Sequence, residues 1–186
     1  RHPKAGPKNA FLHLKLAYHG DPIGAVSVGN IALFHSRFKP LLFPTLEAEP
    51  PHCYRCPLKL MYPSCNMACL DPIEQLLRRR HKDVAGFIIE PVMQAAAGML
   101  PQPSGYLTRI RELCTKYHVL LIADEVATGF GRTGKMFACE QEGVTPDLMA
   151  ISKGLTGGYM PLAATLTTDE IYQGFLGSYD EFKTFF

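Results

Sequence analysis

Asp124 and Lys153 each close an apolar, β-rich run and stand before a glycine-bearing turn. Asp124 follows Val119-Leu120-Leu121-Ile122-Ala123, and Lys153 lies within Ile151-Ser152-Lys153-Gly154. A carboxylate and an amine carried to the rim of a sheet could hold a cofactor between them, the amine as nucleophile and the carboxylate as a buried anion. Each residue also has a plain structural reading. Asp124-Glu125 could cap the next helix or pair with Arg132, and a lysine after a strand is usually an exposed turn residue. Gly154, Gly157 and Gly158 weigh against the plain reading of Lys153, because they remove side chains where the backbone would approach a bulky ligand.

Between the two lies Gly129-Phe130-Gly131-Arg132-Thr133-Gly134, a match to the glycine string of dinucleotide-binding turns. In such a turn the first glycine directly follows the strand, whereas here Glu125 to Thr128 intervene after Asp124. No acidic residue closes a following strand either, since Asp147 begins one. Lys135 does not complete a phosphate loop, because the glycine spacing and the hydroxyl residue after the lysine are both missing. A nicotinamide-dependent oxidoreductase is therefore disfavoured.

The elements that must position these residues alternate. Five β-like runs are expected at Ala10 to Tyr18, Val84 to Glu90, Val119 to Asp124, Asp147 to Ser152 and Leu162 to Thr167; several are almost wholly apolar, as strands covered on both faces should be. Asp71-Pro72-Ile73-Glu74 reads as a helix start with Asp71 as N-cap, followed by Leu76 and Leu77. Ser104 reads as the cap of a second helix, whose Leu107, Ile110, Leu113, Cys114 and Tyr117 share one face. Asp21 and Pro22 read as the cap and first residue of another. Strand and helix in alternation predict an α/β fold with a mostly parallel sheet and helices on both faces, with ligands at the carboxyl ends of the strands. The stretch from about 40 to 71, rich in Pro and Cys, reads as a surface insertion.

The chain has 186 residues and a formal net charge of +2. That balance leaves no electrostatic footprint for nucleic acid or an acidic membrane surface, and Arg78-Arg79-Arg80 reads as a solvated helix end. Apolar runs stop well short of the roughly 20 residues of a membrane helix, and the sequence after Arg1 has no apolar signal region. Six cysteines without a secretion signal predict a reducing, cytoplasmic setting. Cys53-x-x-Cys56 and Cys65-x-x-x-Cys69 have a spacing that could hold zinc, but Pro57 and Pro63 constrain the short gap between them. Free thiols or adventitious disulfides are the favoured reading, and no metal is assigned.

The residues Asp124 to Glu140 (DEVATGFGRTGKMFACE) and Ile151 to Thr168 (ISKGLTGGYMPLAATLTT), with Tyr18-His19-Gly20-Asp21 and Ile89-Glu90-Pro91, resemble the large domain of class III pyridoxal-phosphate aminotransferases of fold type I. The resemblance covers nearly the whole chain. Three details are similar to the biotin-synthesis branch of that family: Ala164-Thr165-Leu166-Thr167-Thr168, Ala127 where ornithine-type members usually carry glutamine, and Glu90 to Gly98, which lacks their acidic loop residue. That branch implies transfer of an amino group to 8-amino-7-oxononanoate, giving 7,8-diaminononanoate, with adenosylmethionine or lysine as donor. The same resemblance leaves open another ω-aminotransferase acting on diamines or ω-amino acids.

By the resemblance, Lys153 is implied to bond to the aldehyde of pyridoxal 5'-phosphate and to move protons, and Asp124 to pair with the ring nitrogen. Tyr18 is implied to stack on one face of the ring and border the substrate, and Val126 to pack on the other; His19 and Glu125 are implied to stand behind them. Pro22 departs from the threonine usual in the family. The phosphate-binding Gly-Ser turn is expected upstream of Tyr18, and a threonine donated by a second copy beyond Phe186, so the site is expected to form in a homodimer. Residues 1–186 are accordingly expected to be a central part of the large domain, without the small domain and inactive alone. A different class of reading is a non-catalytic fragment whose insertion binds a metal or a protein.

Overall fold

Apolar runs bounded by turn residues fold into a six-stranded sheet. The computed structural model describes residues 8–177. Strands β1 (Ala10–Leu14), β2 (Leu46–Ala48), β3 (Val84–Ile89), β6 (Leu120–Asp124), β7 (Leu148–Ile151) and β8 (Ala164–Thr167) lie in the order β2-β1-β3-β6-β7-β8. The pairings are parallel except β7 with β8, which is antiparallel. Two short strands, β4 (Met93–Gln94) and β5 (Leu100–Pro101), make a separate hairpin beside the carboxyl end of β3.

Among the described residues five α-helices accompany the strands: α1 (Ile23–Ser27), α2 (Ala32–His35), α3 (Asp71–Arg80), α4 (Tyr106–Lys116) and, after β8, α5 (Asp169–Gln173). The core lies between one sheet face and helices α3 and α4. Leu12, Leu14, Phe87, Ile89, Leu121 and Ala123 point to this face; Ile73 and Leu77 of α3 and Leu107, Ile110 and Cys114 of α4 meet them. Each fully buried leucine or isoleucine here contributes about 2 kcal/mol relative to exposure. Alternation along the strands sends Phe11, Ile88 and Ile122 to the opposite face, where they are half-buried.

All five expected strands form, with trimmed ends. β1 stops at Leu14 rather than Tyr18, because Leu16 adopts a left-handed φ of 60° that breaks the ladder. The expected insertion is not wholly outside the sheet. Its β2 pairs with β1 over Leu12↔Leu46 to Leu14↔Ala48, a three-residue edge strand too short to show alternation in sequence.

The expected caps are corrected in each case. No side chain caps α3, and Asp71 is its first residue, one place inside the expected position. Helix α1 starts at Ile23, with Pro22 extended before it (ψ 145°), and the Asp21 carboxylate accepts from the Tyr18 hydroxyl instead of capping. For α4, Gly105 at φ 86° occupies the cap position and Ser104 makes no cap bond. The orphan amides are taken by a distant residue: Glu142 accepts from the Gly105 and Thr108 N–H groups, each at 2.8 Å, and from the Thr108 hydroxyl at 2.9 Å.

Candidate active site at the strand carboxyl ends

Register brings the two opening residues to one rim. Asp124 ends β6 opposite Ala150 of β7, and Lys153 follows three residues later, past the end of β7. Both therefore leave neighbouring parallel strands at the carboxyl edge, where an α/β sheet binds ligands. Asp124 is buried, 6 % exposed. Lys153 is exposed and has no ion-pair partner among the described residues.

Asp124 is neither a helix cap nor a partner of Arg132. Its Oδ2 lies 2.7 Å from Nδ1 of His19, and the two side chains are 8 % and 2 % exposed. An ionised carboxylate only accepts, so Nδ1 carries the proton. Oδ1 accepts the backbone N–H of Val126 at 3.1 Å. Each carboxylate oxygen has a second acceptor position, so Asp124 is oriented by two bonds and can still receive a further donor or cation.

Tyr18 stands close by, after β1. Its hydroxyl donates to Asp21 at 2.9 Å, and this bond, followed by burial, raises the phenol above its ordinary range. One ring face is parallel to the His35 imidazole, 6.0 Å between centroids, and the ring is edge-on to Phe34. Val126, half-buried, lies two residues past Asp124.

The glycine next to Lys153 has a close neighbour within the fold. Gly154 makes room for Phe130, against which a Cβ would stand at 2.6 Å; Gly157 and Gly158 have open space but positive φ, 63° and 85°. In the string before them, Gly129 passes close to the Glu125 carbonyl, and Gly131 and Gly134 take φ of 86° and 91°. This segment is a turn pinned by Glu125, which is fully buried and accepts from Thr128, Ala138 N–H (3.0 Å) and Cys139 N–H (2.8 Å). It is no phosphate cradle.

Sequence reasoning placed His19 and Glu125 only behind the site and gave Glu90 no role. Glu90 directly follows β3 and is 5 % exposed. A carboxyl at the end of an apolar strand, next in the sheet to the strand of Asp124, was the available signal. Burial raises the Glu90 carboxyl above the ordinary range, opposed by the Ala95 amide and by His19 and reinforced by Asp124.

The cysteine-rich segment lies elsewhere. Cys53, Cys56, Cys65 and Cys69 are free and line a cavity of about 20 Å³. Burial, then the neighbouring Cys53 thiol, pushes the Cys69 thiol up to about 11. Among the described residues no three His, Cys, Asp or Glu side chains come close enough to ligate a metal. No helix among them is long and apolar enough to cross a membrane.

The sheet is mostly parallel, with a buried aspartate and an exposed lysine on adjacent strand ends. The aminotransferase class-III model matches residues 1–185, and the chain belongs to that family. Among its relatives, an adenosylmethionine-8-amino-7-oxononanoate aminotransferase of Geobacter sulfurreducens is 56 % identical over 187 residues, covering 100 % of this chain and 41 % of the relative. The Aquifex aeolicus protein of the same name is 55 % identical over 96 % of this chain and 40 % of its own length. A crystal structure of the Methanocaldococcus jannaschii protein of that name superposes with a TM-score of 0.86 at 44 % identity, covering 98 % of this chain and 40 % of that one. An (S)-enantioselective omega-transaminase from Thermomicrobium roseum gives 0.82 at 35 % identity, over 89 % and 37 %. The chain thus spans about two-fifths of the length of the relatives it matches.

Proposed function

We propose that this chain is the central part of the large domain of a pyridoxal-phosphate aminotransferase that converts 8-amino-7-oxononanoate to 7,8-diaminononanoate in biotin synthesis. The observation that carries the reading is the Asp124–Lys153 arrangement: a buried carboxylate, oriented by His19 and Val126, beside a strand end that bears an exposed, unpaired amine. That donor set fits the cofactor. Asp124 keeps acceptor capacity for a protonated ring nitrogen, and a free amine is what an aldehyde requires.

Pyridoxal phosphate, when bound, supplies an aldehyde that takes up amino groups and a ring that draws electrons from the substrate carbon. Asp124 would hold a proton on the ring nitrogen, since its charge favours the cationic form. Lys153 would hold the aldehyde through its Nζ, and that amine, once free, would move a proton between the substrate carbon and the cofactor. A positioned base of this kind contributes roughly 10² to 10⁴ in rate. Tyr18 and Val126 would bracket the ring, and the Tyr18 hydroxyl, held by Asp21, would border the substrate.

The substrate assignment is supported by the higher identity to relatives named for 8-amino-7-oxononanoate, 56 % and 55 %, than to the omega-transaminase, 35 %. Adenosylmethionine or lysine is the amino donor in this reading. The working unit is a cytoplasmic homodimer with the active site shared between subunits.

Full-length protein tests the reading directly. It should carry a visible cofactor band, and borohydride should fix the cofactor on Lys153; a label on another lysine refutes the assignment. Transfer to 8-amino-7-oxononanoate should exceed transfer to simple aldehydes and keto acids, and the reverse order would favour a general ω-aminotransferase.

A further inference from the structure

The residues behind Asp124 carry an arrangement of their own, and its significance rests on the functional reading above. Strands β3 and β6 pair in register up to Ile89 and Ala123. The next residues, Glu90 and Asp124, therefore leave adjacent strands side by side and toward the same face. Both are buried. Ionising both of two buried carboxyl groups so placed is costly without a cation beside them.

Their hydrogen bonds are unequal. Both Asp124 oxygens have donors, His19 Nδ1 and Val126 N–H. Glu90 accepts the Ala95 N–H at 2.9 Å through Oε2, while its Oε1 is buried and unpartnered. The other ring nitrogen of His19, Nε2, is also buried and unpartnered. The Tyr18 backbone N–H and the His19 ring both act on the Glu90 carboxyl, which sets it against the segment that carries His19. Two unpartnered buried polar atoms on neighbouring groups, one an acid and one a base, are satisfied together by a single proton.

We propose that Glu90 and His19 share one proton between Oε1 and Nε2 across one bridging water, and that this pair fixes the His19 Nδ1–H on Asp124. With the proton on Oε1 the pair is a neutral acid and a neutral imidazole; with it on Nε2 it is a carboxylate and an imidazolium. The proton count is the same, and the pair is neutral overall. Asp124 then keeps its charge available to the ring nitrogen of the cofactor. Glu90 is a positioning residue that acts through His19.

The test uses full-length protein with ¹⁵N-labelled histidine, as wild type, Glu90→Gln and Glu90→Leu. In Glu90→Gln the amide carbonyl keeps the Ala95 contact and the amide N–H donates toward Nε2 through the bridging water. His19 should stay a neutral ring protonated at Nδ1, and pyridoxal-phosphate affinity should stay within about threefold of wild type. In Glu90→Leu the Nδ1–H signal should be lost or averaged with the other tautomer, and affinity should fall by about tenfold.

An unchanged Nδ1–H signal in Glu90→Leu overturns the proposal even if affinity falls, because the loss would then report only the Ala95 contact. Should Glu90→Leu not fold, Glu90→Gln decides: a His19 ring still protonated at Nε2 overturns it. The histidine signals are read in apoprotein. Failure of the wild type to take up pyridoxal phosphate would instead refute the functional reading.

Discussion

Gly154 is packed directly under Phe130: a Cβ on the glycine would stand 2.6 Å from the phenylalanine Cβ and 2.7 Å from its Cδ2. Phe130 is itself held at a left-handed φ of 60° and is edge-on to Phe137, 5.7 Å between centroids. The obstacle is thus the root of a fixed side chain, not its flexible end. Gly154→Ala is expected to cost about 1–3 kcal/mol, as overpacking does, and to displace the adjacent Lys153. Thermal unfolding reads the first effect, and the yield of borohydride-trapped cofactor reads the second. A variant with wild-type stability and full trapping would remove Phe130 from the account of how Lys153 is placed.

Lys153 and Asp124 should separate chemistry from folding. Lys153 is exposed and unpaired, so Lys153→Ala is expected to change stability by no more than about 0.5 kcal/mol while lowering the rate at least about 10²-fold. Asp124→Asn keeps the shape but removes the charge that holds the His19 Nδ1–H and would hold the ring-nitrogen proton. A loss of about 10² or more in kcat, larger than any loss in cofactor affinity, is expected. Single-turnover rates with cofactor-saturated protein distinguish the two; an Asp124→Asn enzyme impaired only in binding would contradict its assigned role.

Glu142 closes helix α4 from about forty residues downstream. Its carboxylate takes the Gly105 and Thr108 amides and the Thr108 hydroxyl, so Glu142→Ala leaves three donors without their acceptor. A loss of about 1–2 kcal/mol is expected, measured by denaturant unfolding of the full-length protein. Glu142→Gln, which retains one acceptor oxygen, should lose less. Equal losses would mean that the negative charge at the helix start, rather than the bonds, is what matters.

This cap also marks the boundary of what the sequence could disclose. Strands β3, β6 and β7 were legible because they are apolar runs with turn residues at both ends, and α4 because Leu107, Ile110, Leu113 and Cys114 repeat at helical spacing. Asp124 and Lys153 were legible as charges at strand ends within a recognisable family signature. Contacts between distant positions have no local pattern. Glu142 reaching α4, β2 joining β1, and His19 meeting Asp124 across 105 residues depend on the packed sheet. Gly154 meets the same limit: a glycine implies a close approach, and only the packed structure names Phe130 as one neighbour.

Glu90 gives the fold a pH dependence whose sign follows from its environment. Burial raises its carboxyl above the ordinary range in the native state, with Asp124 adding to the effect, whereas in the unfolded chain it titrates normally. The unfolded state therefore releases this proton at lower pH than the native state does. Below the ordinary carboxylate range both states hold the proton and Glu90 is neutral to stability. As pH rises from there through the raised native value, the unfolded state gains ionisation free energy that the native state lacks, and stability falls. Glu90→Gln has no such proton to release. Its unfolding midpoint relative to wild type should rise as pH is taken from about 4 to 8 and level off above the native value. A difference between the two proteins that stays constant across that range would show that the buried carboxyl titrates alike in both states.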